Sequence, residues 1–402
     1  MALLSVAEAL EQILAQAAPL PADEVALDEA DGLVLAHDLI ARRTQPPADV
    51  SAMDGYAVRA ADVANAPARL NVIGEVAAGR PFAAALGPGE AARIFTGGVL
   101  PQAADTVVIQ ELTTRSGNIV EIQKPAKQGR NVRPKGLDFR SGDRLLAKGH
   151  RLTPRDLQLA AGMNHPLLPV HRRPKLALFA TGDELVPPGE EPGPGQIVYS
   201  NGFALAALAR AEGASVIDLG VVGDKLDATI AKVRRARERG ADILVTTGGA
   251  SVGEYDLVQK AFAAEGMELS FWKVAMRPGR PLMHGKLGAM HVLGLPGNPV
   301  SSYVCAFLFL VPLIRRLAGR GDLTAPVESA ILGCDLPEND ERADYLRSTL
   351  MQDARGAVAT PFPTQDSSMM APLAKSGCLV IREPFAPSAK AGSPCRMVRL
   401  DR

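Results

Sequence analysis

Asp242-Ile-Leu-Val-Thr-Thr-Gly-Gly-Ala-Ser-Val-Gly-Glu-Tyr-Asp256 is the stretch on which the fold turns. Ile243, Leu244 and Val245 form a short apolar run with β-branched content, as expected of a parallel strand covered on both faces. Gly248, Gly249 and Gly253 then allow a sharp turn and a close approach of backbone to a ligand. A helix is expected over 256–265. Such a loop is either a tight strand-to-helix turn or a set of backbone N–H groups aimed at an anion. Its acids, Glu254 and Asp256, suit a phosphate only with a divalent cation between them. The loop therefore suggests metal-assisted handling of a phosphate or similar oxyanion.

Around this stretch, strands are expected at 175–180, 215–222 and 242–247, and near 269–274 and 290–295. Helices are expected at 201–212, 227–240 and 299–318. Alternation of this kind implies right-handed βαβ units and a mostly parallel sheet. Upstream, 1–18 read as a helix with a capping box at Ser5 and Glu8. Segment 25–44 mixes short strand and helix signals. From 46 to 143 short apolar runs at 70–73, 93–95, 106–110 and 119–122 alternate with Gly, Pro and Asn, so a β-rich insertion is expected there. Asp54-Gly55 within it reads as a turn. One helix is expected in 144–172, opened by Thr153-Pro154. Downstream, strands at 328–336, 344–351, 357–360, 377–383 and 396–400 read as a small β-barrel or sandwich. The Pro/Gly-rich stretch 187–195 is a loop, not a linker between domains.

Bulk properties narrow the function. At 402 residues the chain exceeds one ordinary core. Lys+Arg and Asp+Glu both number 44, which argues against a broad nucleic-acid footprint. Cys305, Cys334, Cys378 and Cys395 form no CxxC pair, fitting a reduced, cytoplasmic protein. No histidine pair has zinc-ligand spacing, so any metal should be a hard ion on carboxylates. The start carries no signal-peptide pattern. The longest apolar run, 305–314, is about half the ~20 residues of a membrane span and reads as a buried helix.

Acids sit at three strand ends of the α/β segment: Asp183 and Glu184, Asp224, and Glu254 with Asp256. Ligands in such sheets bind at the carboxyl ends of the strands. Each acid alone is as well read as a helix cap; three converging loops point to Mg²⁺ beside phosphate oxygens. Gly294-Leu-Pro-Gly-Asn-Pro-Val-Ser301 opens the long helix, as a Pro-rich cap or as an anion site at its N-terminus. Lys273, Arg277 and Arg280 cluster in one loop, which is either a solvated cationic turn or a set of donors for an oxyanion.

Six segments in order closely resemble the molybdopterin molybdenumtransferases, the MoeA and gephyrin E-domain family: Ser51-Ala-Met-Asp-Gly-Tyr-Ala57, Phe95-Thr-Gly-Gly98, Ala104-Asp-Thr-Val-Val108, Thr181-Gly-Asp-Glu-Leu185, Gly248-Gly-Ala-Ser-Val-Gly253 and Gly294 to Ser301. The resemblance implies a multidomain α/β chain. A doubly wound α/β domain of the molybdopterin-binding type would take 1–24 and 173–322. A connecting α/β domain would take 25–45 and 144–172, a β-rich lobe 46–143, and a C-terminal β-barrel 323–402.

It also implies a homodimer whose sites lie where the α/β and C-terminal domains of one subunit face the lobe of the other. The substrates would be adenylylated molybdopterin and molybdate. The pyrophosphate link is cleaved with Mg²⁺, releasing AMP and molybdenum cofactor, and the pathway's adenylyltransferase is a candidate partner. No nucleic acid or membrane is implied.

Carried over residue by residue, Glu184, Asp224 and Asp256 would hold Mg²⁺. Gly248, Gly249 and Ser251 would cradle phosphate. Arg277, Arg280, Ser301 and Arg347 would hold molybdate, with Ser367 or Ser368, and Lys273 and Pro296 would also bind substrate. Asp54, Thr96 and Asp138 would reach across the dimer. One departure concerns charge geometry: the family's frequent Lys-Pro-Gly-Lys is here Arg277-Pro-Gly-Arg280, so point charges become planar forks. The stretch 365–372 matches only loosely.

Three rivals share parts of this pattern. A gephyrin-like scaffold is disfavoured by the retained acidic and cationic sets. The pathway's adenylyltransferase shares the α/β module but not the β domains at both ends. A dinucleotide-dependent dehydrogenase would need G-x-G-x-x-G spacing, which the Gly248 loop lacks.

Overall fold

The computed structural model describes residues 3–248, 257–354 and 356–400. The central sheet runs in the order Ser215–Val222, Lys175–Thr181, Ile243–Thr247, Met290–Leu295, Met283–Leu287, Glu268–Trp272. Its first four strands are parallel and only Met283–Leu287 runs antiparallel to its two neighbours, so the α/β domain is mostly parallel as expected. Ile243 and Val245 face one layer with Leu176 and Leu178, while Leu244 faces the other with Ala177 and Phe179. That two-sided burial is why the strand is apolar without alternation.

Helices Asn201–Ala211, Leu226–Glu238 and Leu257–Ala264 cover the sheet near their expected positions. The antiparallel strand Met283–Leu287 was not foreseen. His284, Gly285 and Lys286 hide its apolar alternation, and only its pairing with Met290–Leu295 buries His284 beside His291.

The long helix spans Pro299–Leu317, 19 residues with 83% of its most apolar window buried. By length and composition it could cross a membrane; its burial in the protein makes it a core helix. It is not uniform. Ala306–Leu310 is a π turn, just before Pro312. Proline lacks an N–H and its ring crowds the carbonyl four residues back, so the wider turn takes up a misfit that the sequence reading passed over.

The N-terminal helix is Val6–Ala15, shorter than the expected 1–18, with the Ser5–Glu8 capping box in place. Its Ala9 and Ile13 belong to the same core as the long helix. Strand Ala22–Ala26 pairs with Leu167–His171, next to Val34–Leu35, and joins the connecting layer with helix Pro154–Gly162. Arg151 links that layer to the α/β domain by donating to the carbonyl of Ala211 at 2.9 Å.

In the inserted lobe the sheet order is Thr106–Ile109, Gly55–Val58, Glu90–Ile94, Ala68–Val76, Ile119–Ile122, Thr113–Ser116. Gly55 is no turn residue here; it starts a strand between two neighbours. A Cβ on it would meet the carbonyl oxygen of Val108 at 2.0 Å, so close strand approach explains the glycine.

The C-terminal strands close on themselves. Ala343–Asp353 pairs with both Gly356–Pro361 and Cys378–Arg382, and the ring is completed by Val327–Leu332 and Pro394–Arg399. A barrel, not a sandwich, results. Tyr345, Leu379 and Val398 of this barrel share a core with the long helix, which seats the barrel against the strand-end loops of the α/β domain.

Candidate functional site

The parallel strands end level with one another: Thr181 pairs with Val222, Ala180 with Thr247, and Thr247 with Leu295. Their following loops therefore meet at one edge. Gly248 has φ +86°, and a Cβ there would meet the Thr181 carbonyl oxygen at 2.5 Å. Only glycine permits both the left-handed backbone and this packing of one strand-end loop on the next. A cavity of about 450 Å³ opens at this edge, with Glu184, Asn201, Gly248, Asn298, Ser368 and Met370 in its wall.

The barrel supplies the other wall. Asn298, at the start of the long helix, donates through Nδ2 to Ser367 Oγ at 2.8 Å. Val300 N donates to the Ser367 carbonyl at 3.0 Å, so a residue of the barrel loop satisfies one of the unpaired N–H groups of the helix N-terminus. Ser368 donates its hydroxyl to Asp366 Oδ1 at 2.6 Å. The two serines named from sequence thus differ. Ser368 lines the cavity, while Ser367 fastens the loop to the helix.

Arg347 is 1% exposed. It donates to the carbonyls of Met369, Asp366 and Thr364. Gln365 adds bonds from its side chain to the backbone of Arg347 and Phe362. The terminal nitrogens of the Arg347 fork are engaged in shaping the serine loop, so here it acts as a positioning residue.

Arg277 is similarly engaged. Its Nε and Nη2 lie 2.8 and 2.6 Å from the two carboxylate oxygens of Asp344, with Asp340 at 3.3 Å. The hydrogen bonds Arg277 donates to Asp344 raise its pKa further. Asp340, held chiefly by its hydrogen bond from Arg342, is pushed down to about 2. Arg277 thus ties the cationic loop to the barrel, and its charge is balanced. Arg280 is exposed and makes no ion pair with the described residues, so it is the open fork of that loop. Lys273 sits with Nζ 4.7 Å from the centroid of the Trp272 ring. Pro296 and Ser301 are buried at the end of strand Met290–Leu295 and in the first turn of the helix, outside the cavity wall.

Glu184 faces the cavity. Asp224 lies on the neighbouring strand end, its backbone N donating to Asp183 Oδ1 at 3.1 Å. Asp183 is thus a loop clamp. Gly249, Ser251, Glu254 and Asp256 lie outside the described residues, so their predicted roles have no geometry here. Among the described residues no three acids, histidines or cysteines gather in metal-binding geometry.

The lobe holds the rest. Asp54 Oδ1 accepts from Thr96 N at 2.7 Å and from Thr96 Oγ1 at 2.8 Å, which lowers its pKa. Asp138 is elsewhere, in a cavity with Arg43 and Arg155 at the junction of lobe and connecting layer. Neither Asp54 nor Thr96 lines the strand-end cavity of the same chain. Sequence reasoning missed Asn201, Asn298, Gln365 and Met370. Asn298 stands within the Gly294–Ser301 motif, which reads as a Pro-rich cap or an anion site, and Asn201 at an expected helix start; neither signal singles out the asparagine itself.

Residues 4–163 match the MoeA N-terminal region (domain I and II), 177–316 the probable molybdopterin binding domain, and 329–400 the MoeA C-terminal region (domain IV). A molybdopterin molybdenumtransferase of Nostoc sp. is 40% identical over 80% of this chain and 75% of its own length. Another, of Haemophilus influenzae, is 35% identical over 93% of both chains.

The chain belongs to the molybdopterin molybdenumtransferase family.

It is thereby an enzyme of molybdenum-cofactor biosynthesis. The molybdopterin biosynthesis MoeA protein of Pyrococcus horikosii superposes over 100% of both chains with a TM-score of 0.84 at 31% identity. The likeness covers every domain described above, so the strand-end cavity and its barrel wall are set in the family's whole architecture.

Proposed function

We propose that this member of the family inserts molybdate into adenylylated molybdopterin, cleaving the pyrophosphate link and releasing AMP and molybdenum cofactor. One observation carries the reading: a single cavity of about 450 Å³ brings together a strand-end carboxylate, a glycine-loop backbone and a serine-bearing barrel loop. A glycine loop and a helix N-terminus suit phosphate oxygens. Arg280 and Lys273 are the cations of the nearby loop that carry no carboxylate partner among the described residues, and they suit molybdate, a tetrahedral dianion.

In the cleavage step a water oxygen bonds to phosphorus, the bridging P–O bond breaks, and its electron pair leaves with the departing phosphate. Asp54, kept ionised by its two bonds from Thr96, is suited to orient that water or take its proton from the lobe of a second subunit.

Mg²⁺ is the ion that hard carboxylates at these strand ends would take. Glu184 and Asp224 are hard carboxylates on adjacent strand ends, and neither has an ion-pair partner among the described residues. Bound there with Asp256, it would neutralise charge developing on the phosphate oxygens. In a homodimer the lobe of one subunit would reach the cavity of the other, and the pathway's adenylyltransferase is the partner that would supply the adenylylated substrate. A cytoplasmic setting agrees with the buried thiol of Cys305.

The test is AMP release from adenylylated molybdopterin by the purified protein with Mg²⁺, with and without molybdate. Molybdate-stimulated release is expected. Glu184→Gln should lower the rate by about 100-fold or more, the scale of losing one preorganised electrostatic contact. Tight binding without turnover would transfer the protein to a scaffold or storage role. Unchanged Mg²⁺-dependent turnover in both Glu184→Gln and Asp256→Asn would remove the metal assignment.

A further inference from the structure

The edge of the central sheet opposite the strand-end cavity carries a separate concentration of charge. Arg173 stands shortly before Lys175, and Gly213 shortly before Ser215, where two parallel strands begin side by side. Strand Lys175–Thr181, at ~3.3 Å per residue, sets this edge about 20 Å from the cavity. Here the α/β domain meets the connecting layer, and Arg151, Arg173, Arg315 and Arg320 lie within one another's electrostatic reach.

Two of the four are paired. Arg315 and Arg320, both largely buried, share the carboxylate of Glu212 at 2.9 and 2.8 Å, and Arg320 also holds Asp322. The other two are not. Arg151 donates to the carbonyls of Gly32 and Ala211, and Arg173 to the carbonyl of Asp31. A carbonyl satisfies an N–H group but brings only partial charge, and neither guanidinium has an ion-pair partner among the described residues. The carboxylate of Asp31 attracts Arg151 without pairing with it. Burial first, and then the like charges of Arg320 and Arg173, lower the pKa of Arg151. Charge of one sign crowded into a half-buried seam is stabilised by a counter-ion.

The seam leaves room for one. Gly32 (φ +71°) and Gly213 (φ +94°) both have left-handed backbone and face the notch between the two forks. A methyl group on Gly32 would stand 3.5 Å from Arg151 Nη2 and 3.9 Å from Arg173 Nη1, and one on Gly213 would stand 3.9 Å from the same Arg173 nitrogen. Neither of those nitrogens donates to a described residue. Two free guanidinium ends converging on one point suit an oxyanion, which can accept from both at once.

We propose that this seam binds one tetrahedral oxyanion, of the phosphate or sulfate class, between Arg151 and Arg173, where it fastens the connecting layer to the α/β domain. Such a site stands apart from the proposed reaction, whose phosphates would lie at the opposite edge of the sheet. A free ion and the phosphoryl end of a larger ligand share the required chemistry, and the choice of titrant tells them apart.

The experiment is isothermal titration of the full-length protein with inorganic phosphate, sulfate and ribose 5-phosphate, at ionic strength matched with chloride, beside thermal unfolding in the same solutions. Three variants are compared with the wild type: Arg173→Gln, Arg151→Gln, and Arg280→Gln as a control for oxyanions held at the strand-end loops. Arg173→Gln should weaken binding by about 10-fold or more, the scale of one lost charge-assisted hydrogen bond, and should abolish the rise in melting temperature. Arg280→Gln should keep both. Arg173 is exposed, so Arg173→Gln keeps the fold and carries the test even where Arg151→Gln, which loses the tie to Ala211, does not fold. Ribose 5-phosphate binding at the seam as tightly as inorganic phosphate assigns the phosphoryl end of a larger ligand; binding confined to phosphate and sulfate assigns the free ion.

The proposal is overturned by a wild type that binds no oxyanion beyond the chloride control. It is also overturned by an Arg173→Gln protein that binds as the wild type does, or by loss of the site in Arg280→Gln alone.

Discussion

Asp54 shows how much one pair of hydrogen bonds does. The carboxylate is on the surface of the lobe, yet both bonds from Thr96 favour its ionised form, the backbone N–H most, with Arg93 adding a smaller attraction. Thr96→Val removes the hydroxyl donor and keeps the backbone one. The Asp54 pKa should therefore rise but stay below its ordinary value, as followed by carboxyl-carbon NMR during an acid titration. An unchanged titration would mean that the backbone bond alone holds the charge. The same scale explains why Arg277 and Arg347 could not be placed from sequence. Charge, spacing and family pattern mark both as oxyanion donors. Nothing local to either shows that Asp344, 67 residues from Arg277, or the carbonyls of Met369 and Asp366 will take up their forks.

At the scale of elements, the strands and helices of the α/β domain were legible because a parallel sheet buried on both faces demands uninterrupted apolar runs. Strand Met283–Leu287 was not, because its histidine is tolerated only through pairing. His284 Nε2 lies 3.3 Å from His291 Nδ1, and burial pushes the two pKa values down to about 3 and about 4, with Lys286 adding to both. The consequence for stability has a definite sign. Both rings are neutral when folded but bind protons below their ordinary value of about 6.5 once unfolded. Stability from this source is fully present above about pH 6.5. It falls as the pH drops towards 4, by about 1.4 kcal/mol per pH unit for each histidine that protonates on unfolding. Urea unfolding at pH 7, 5.5 and 4.5 measures the slope. The double variant His284→Leu/His291→Leu should show a shallower one, and an equal slope would assign the acid sensitivity elsewhere.

For the whole molecule, the separation of Asp54 and Thr96 from the strand-end cavity makes the subunit arrangement testable. A two-fold dimer that shares its sites gives each cavity one lobe from its partner. Asp54→Asn and Glu184→Gln would each inactivate the protein alone. Mixed and allowed to exchange, they should recover about a quarter of wild-type AMP release, because half the dimers are mixed and each of those has one intact site of two. No recovery, with exchange confirmed by differently tagged subunits, would place each site within one chain.

The sequence by itself determined the alternation of strands and helices, the β-rich insertion, the C-terminal strands and the loops at the parallel strand ends. These follow from periodicity, glycine and capping, whose physics is confined to a few neighbouring residues. Six segments in family order also carried the kinship. Only the tertiary structure decided that the C-terminal strands close into a barrel, that Gly55 is a strand residue, and that Arg347 shapes a loop. It alone decided, too, that Ser368 and Glu184 share a cavity while Ser367 caps a helix. Each of those depends on which distant backbone or carboxylate arrives beside a residue, and that is settled by packing between domains, not by the residues next to it in the chain.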